Sequence, residues 1–181
     1  MDIDGVLNSE AWLVRDRGPR PRIEDDLESR LVAVLLPLFK KRPDLKVVVS
    51  SVWREIVPLA ELRQLLTPIP VIDVTPTRPD GRRGSEIDAW LLAHEDVEVY
   101  AVVDDETFDM EELVARGIVA QTDAKTGITP SDVERLGQFL DAVAALKTAA
   151  PKATAPKAVA SEAEVSISPL AAEAAPRVGA A

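Results

Sequence analysis

Short apolar runs alternate with longer stretches of helical period along most of this chain. Glu24 to Lys41 carries Leu27, Leu31, Val34, Leu35 and Leu38 at helical spacing, which predicts a helix whose last turn Pro37 disturbs. Leu45 to Ser50, with Val47, Val48 and Val49 in a row, reads as a buried strand. A helix around Leu59 to Leu66 follows, then a strand from Ile69 to Val74 bounded by prolines. Ser85 to His94 sets Ile87, Trp90 and Leu91 on one side of a further helix, which leads into a strand from Val97 to Val103. Glu111 to Arg116, the short strand Gly117 to Ala120 and the helix Ser131 to Lys147 complete the series. Strands alternating with helices at this spacing predict an α/β fold, a parallel sheet with helices on both faces. In such sheets, polar residues at the C-terminal ends of the strands form the expected site.

From about residue 148 the pattern stops. Ala, Pro, Lys, Ser and Glu dominate, with no aromatic residue and no sustained apolar period. A segment of that kind buries too little to offset its ordering entropy, so the expected organisation is a folded domain over 1–147 and a disordered Ala/Pro-rich tail over 148–181. The net charge is −10, and the tail's Lys152, Lys157 and Arg177 balance Glu162, Glu164 and Glu173, so the excess of acid belongs to the folded part. An acidic body argues against non-specific duplex binding, which rests on neutralising many phosphates, but leaves room for a local basic site. The absence of cysteine excludes disulfides, zinc–thiolate sites and a thiol nucleophile. No stretch approaches the roughly 18 to 20 apolar residues of a membrane span, and the N-terminus lacks the regions of a signal peptide, so a cytoplasmic location is the default expectation.

Four patches carry candidate chemistry. Asp2 and Asp4, in Asp2-Ile3-Asp4-Gly5-Val6-Leu7-Asn8, are alternate residues that reach the same side if they end a strand. Two crowded carboxylates need a cation or a shared proton, and one can then act as nucleophile or metal ligand while the other shuttles a proton; the plainer reading is a polar turn. Ser50 and Ser51 stand where a strand ends and a helix with Trp53, Arg54 and Glu55 begins, a place that suits a phosphate oxygen or simply a helix cap. Arg82 and Arg83 open another helix. Asp104, Asp105 and Glu106 follow directly on the most apolar strand and either cap a turn or bind a hard cation, the cation being favoured by Asp2 and Asp4 nearby.

The order of these patches, DxD, then Ser, then a basic residue, then an acidic pair, resembles that of haloacid dehalogenase-like (HAD) phosphatases. The DIDGVLN start, the SSVWRE segment, the RRGSEIDAWL helix and the VVDDE strand are similar to the HAD domain of Swiss Army Knife RNA repair proteins, over residues up to about 145. The resemblance implies a Rossmann-like HAD fold and a magnesium-dependent phosphomonoesterase acting through an aspartyl-phosphate. Asp2 would be the nucleophile, Asp4 the acid and base, Ser50 or its neighbour Ser51 the phosphoryl-oxygen ligand, and Arg83 or Arg82 the neutralising cation, with Arg54 as a further substrate contact. Magnesium would bind Asp2, Asp4 through its backbone carbonyl, and Asp104 or Asp105. In the family the first strand precedes the DxD motif, whereas only Met1 precedes Asp2 here, so the first strand is expected to be truncated, with the native start upstream or the chain a fragment. Residues 9–44 and 52–81 hold too little for a folded cap, and a capless HAD domain resembles members that accept macromolecular ends, here RNA or DNA. Arg15, Arg17, Arg20 and Arg22, in the place of the family's flap, would contact a phosphate backbone or pair with Asp16, Glu24, Asp25 and Asp26; Trp12 would stack on a base or pack in the core. His94 is expected at the surface, and Trp53 and Trp90 in helix-to-sheet packing. Two rival functions stand beside the nucleic-acid phosphatase: a non-catalytic phospho-binding module that recruits a partner, and a small-metabolite phosphatase whose cap is a second subunit.

Overall fold

The β-branched run that reads as a strand from sequence pairs as Val47–Val49 (β1) with Val71–Val74 (β2), in parallel. Ala101–Asp104 (β3) pairs in parallel with Ile118–Gln121 (β4). The structure, a computed structural model, describes residues 1–15, 27–116 and 118–149. Between the two strand pairs lies the backbone of Met1 and Asp2. The Met1 nitrogen donates to the Val48 carbonyl (2.8 Å), the Ser50 N–H donates to the Met1 carbonyl (2.9 Å), and the Asp2 N–H donates to the Val103 carbonyl (2.9 Å). These three bonds bring Asp2, Ser50 and Asp104 to one edge, where the strands end.

Helices connect the strands, most of them where the apolar spacing predicts, with the short helix Glu10–Leu13 an addition the spacing does not announce. They are Glu10–Leu13 (α1), Ser29–Lys41 (α2), Trp53–Ile56 (α3), Leu59–Leu65 (α4), Arg83–Leu92 (α5), Glu111–Arg116 (α6) and Pro130–Ala149 (α7). Leu31, Leu35 and Leu38 of α2 are buried in one core cluster with Leu136 and Leu140 of α7. Successive residues of a strand face opposite ways, and β3 shows it. Val103 joins the α2 and α7 cluster, while Val102 packs with Ile87, Met110 and Leu113 from α5 and around α6, so this parallel strand is covered on both faces.

Several boundaries differ from the sequence expectation. α2 continues through Pro37 to Lys41; the proline ring is on the exposed face, and burial of Leu35 and Leu38 on either side holds the helix together across the missing donor. The strands are shorter than their apolar runs, because regular pairing extends only as far as a partner does; β3 begins at Ala101 rather than Val97, opposite a four-residue β4. α5 starts two residues early, at Arg83. Asp80 accepts from the Arg82 N–H and the Ser85 hydroxyl, and Gly84 lies so close to the Asp109 carbonyl that a side chain there would overlap it. α7 runs to Ala149, just past the expected domain end. Arg17, Arg20 and Arg22, the acids Asp16, Glu24, Asp25 and Asp26, and the tail from residue 150 lie outside the described residues. Among the described residues no helix is long and apolar enough to cross a membrane.

Candidate active site

The loop after Asp2 is held more tightly than a polar turn requires. Ile3, Val6 and Leu7 are fully buried, and the Ile3 carbonyl accepts from the N–H groups of Val6, Leu7 and Asn8. Thr122, just past β4, donates its hydroxyl to the Gly5 carbonyl (2.9 Å), and the Ile128 N–H donates to the Val6 carbonyl (2.8 Å). Gly5 has a φ of +73°, and a Cβ at this position would overlap the Asp105 carboxylate. Glycine is needed there twice, for the backbone and for the approach of the acidic pair.

Three carboxylates converge at this loop. One oxygen each from Asp2, Asp104 and Asp105 lies within 4.8 Å of the others. Asp2 and Asp104 are buried, and Arg83, on the first turn of α5, bonds both of them, at 2.9 Å for Asp104 Oδ2. The remaining oxygens accept backbone N–H groups: Asp2 Oδ1 from Ile3 (2.7 Å) and Asp104 Oδ1 from Glu106 (3.0 Å). Burial, and then the charge of Asp2, push the Asp104 carboxyl up to about 6 even though Arg83 opposes the shift. Burial also raises Asp105. Burial lowers the Arg83 guanidinium, but Asp2 and Asp104 outweigh it and carry the group above its ordinary value. One guanidinium against three carboxylates leaves the cluster short of positive charge, and an all-oxygen donor set of this kind suits a hard divalent cation.

Asp4 stands apart from that cluster. Its Oδ1 accepts from Asn8 Nδ2 (2.9 Å) and its Oδ2 from the indole Nε1 of Trp53 (3.0 Å). Of the two serines, Ser51 accepts from the Trp53 N–H (3.5 Å) as a helix cap would, while the Ser50 hydroxyl is buried with no partner among the described residues. Arg83 rather than Arg82 faces the carboxylates; Arg82 is exposed and lines an outer groove with Arg78. Arg54 points inward. Its guanidinium is bonded to Glu86 and to the Ser51 carbonyl (2.7 Å), with both members of the ion pair about 5% exposed. Glu86 in turn accepts from the Arg78 N–H (3.1 Å), so the pair ties the ends of β1 and β2 to α5.

Trp90 is buried as expected and His94 is part-exposed, whereas Trp12 is half-buried and belongs to neither core cluster, against the expectation that it packs in the core. His94 stacks on Trp90 away from the cluster, and the Trp90 indole donates to Asp73 (2.7 Å). Trp12 carries the Arg15 guanidinium on its ring face, 3.5 Å from the centroid. Sequence gives Trp53 a packing role, which it fills, but not its indole bond to Asp4, and it does not single out the carboxylate of Glu86 or Asn8, whose side chain also accepts from the Glu28 N–H (2.9 Å). Trp53 and Glu86 lie inside the SSVWRE and RRGSE segments, so proximity in sequence to the candidate residues was the signal available.

No curated protein and no solved structure matches the chain. A family model does, the HAD domain in Swiss Army Knife RNA repair proteins, over residues 1–133. That span takes in Asp2, Asp4, Ser50, Arg83 and the acidic pair, together with every strand that carries them. By sequence match and by its parallel α/β architecture, the chain belongs to the family of HAD domains found in Swiss Army Knife RNA repair proteins.

Proposed function

We propose that this HAD domain is a magnesium-dependent phosphomonoesterase that works through an aspartyl-phosphate on nucleic-acid ends or nucleotides. The observation that carries the reading is the convergence of Asp2, Asp104 and Asp105, with Arg83 bonded to the first two, at the ends of parallel strands. Membership of a superfamily made up mostly of phosphohydrolases supports it.

In this reading Asp2 attacks phosphorus, and the bond to the ester oxygen breaks as that oxygen takes a proton from Asp4. Asp4 then removes a proton from water, which attacks the aspartyl-phosphate, releasing inorganic phosphate and restoring Asp2. The unpartnered Ser50 hydroxyl donates to a phosphoryl oxygen, and Arg83 offsets charge on the transferring group. Magnesium, held by Asp2, Asp104 and Asp105 with the Asp4 carbonyl, would supply further charge compensation at the phosphoryl oxygens. Such chemistry asks for positioning and electrostatics above all. The span between β1 and β2 is filled by α3 and α4, which supports an open, capless site able to admit a polymer end.

Phosphate release in magnesium from 5′- and 3′-phosphorylated oligonucleotides and from a small ester, with Asp2→Asn alongside, tests this. Release from an oligonucleotide that vanishes in Asp2→Asn is the expected result. Release from the small ester alone moves the assignment to a small-metabolite phosphatase, and no release from folded protein moves it to a phospho-binding module.

A further inference from the structure

We propose that Trp53 is a positioning residue for the general acid: its indole N–H fixes the Asp4 carboxylate in the orientation from which the leaving oxygen is protonated. The inference rests on the assignment of Asp4 as acid and goes beyond it. Trp53 is 7% exposed and belongs to the core, and its indole has a single donor that must find a partner once buried. The partner is Asp4 Oδ2, across a sequence separation of 49 residues.

The second oxygen of Asp4 is held just as firmly. Asn8, which donates to it, is fully buried; its amide oxygen accepts from the Glu28 N–H, and its carbonyl accepts from the Gly5 N–H. Both donors to Asp4 are therefore themselves anchored, one by the core and one by a network. A short side chain gripped at both oxygens keeps one rotamer, and proton transfer is sensitive to displacements of about 1 Å. The Asp4 carboxylate also stands outside the group formed by the carboxylates of Asp2, Asp104 and Asp105, which leaves its side chain to a separate task. An apolar ring at this position would need no buried partner, so the N–H is the feature of Trp53 that needs an account.

The test compares wild type, Trp53→Phe, Asp4→Asn and the double variant on two esters in magnesium. One is a 5′-nucleotide, whose alkoxide must be protonated as it leaves; the other is p-nitrophenyl phosphate, whose phenolate leaves without help. Trp53→Phe is expected to lower kcat for the nucleotide about tenfold more than for the aryl ester, with KM changed by less than about twofold for either. On the Asp4→Asn background the same substitution should cost less than about twofold, because residues acting through one another are not additive. Equal losses on both esters, or an undiminished loss on that background, would overturn the proposal.

The controls separate its failure from that of the underlying assignment. If Asp4→Asn discriminates between the esters and Trp53→Phe does not, the positioning role alone falls. If Asp4→Asn treats both alike, or wild type hydrolyses neither, the acid assignment falls and takes the proposal with it. A readout without turnover is the Trp53 indole proton resonance, identified by its absence from Trp53→Phe, which should move upfield in Asp4→Asn; no movement also overturns the proposal. Should Trp53→Phe not fold, benzothienylalanine at position 53 keeps the ring shape and removes only the donor.

Discussion

At the scale of single residues, the site is built from atoms whose needs the fold leaves open. The Ser50 hydroxyl is buried and unpartnered among the described residues, at a cost of about 1 to 3 kcal/mol by the usual penalty for such a group. Ser50→Ala should therefore lower kcat by about 100-fold, the effect of losing one donor to the transferring group, while its Tm stays level or rises. A fall in Tm together with activity would mean that the hydroxyl serves the fold. Gly5 makes the opposite kind of prediction. Gly5→Ala forces a side chain into the Asp105 carboxylate and strains a φ of +73°, so magnesium affinity followed by calorimetry should drop by at least about tenfold.

At the scale of elements, Glu28 joins two segments that sequence treats as unrelated. Its backbone carbonyl accepts the first N–H groups of α2, from Leu31 and Val32, while its Oε2 accepts from the N–H (3.0 Å) and hydroxyl (2.8 Å) of Ser9, which opens α1. Burial alone would raise this carboxyl, but the Ser9 bonds and then Arg30 outweigh it and hold it below its ordinary value of 4.5. A depressed carboxyl stabilises the folded state above its unfolded value and loses that contribution as pH falls through the folded one. Glu28→Gln is expected to cost about 1 to 2 kcal/mol at pH 7 in urea unfolding, and the gap should narrow as pH falls below the ordinary carboxyl value and through the lower folded one. A gap independent of pH would assign the loss to packing.

The same scale explains what was legible in advance. Val47, Val48 and Val49, and the spacing of Leu31, Leu35 and Leu38, declare strand and helix because each element buries its own apolar residues. The acidic pair after β3 and the serines after β1 were visible because a site in a parallel sheet has only one edge to occupy. What was hidden is pairing between distant polar groups. Nothing in the local pattern says that Arg54 reaches inward to Glu86, that Trp53 reaches Asp4, or that Arg83 rather than Arg82 meets Asp2, since each depends on how two helices start against the sheet.

For the whole molecule, charge is the governing quantity. A chain with a net charge of −10 repels a long polyanion everywhere except at its few local cations, so recognition should be confined to the terminal phosphate and the nucleotide or two beside it. Lengthening a phosphorylated oligonucleotide from about 5 to about 20 residues should then change KM by less than about threefold, and raising salt from about 50 to 200 mM should weaken binding far less than the 10³-fold or greater loss seen where many phosphates are neutralised. A steep salt dependence would mean that many phosphates are contacted at once, against this expectation.

The three hydrogen bonds through Met1 and Asp2 join two strand pairs that share one core, with Val47, Val71, Val103 and Ala120 in the same cluster. β1 and β2 form one pair, β3 and β4 the other, and the candidate nucleophile sits on the seam between them. The Asp2 and Ser50 N–H groups lie on that seam, so local opening along it would expose those two amides and displace the candidate nucleophile first. Amide exchange at Asp2 and Ser50 should therefore outpace exchange within β1 and β3, and on warming, turnover should fade along with protection of those two amides, several degrees before the rest of the domain melts.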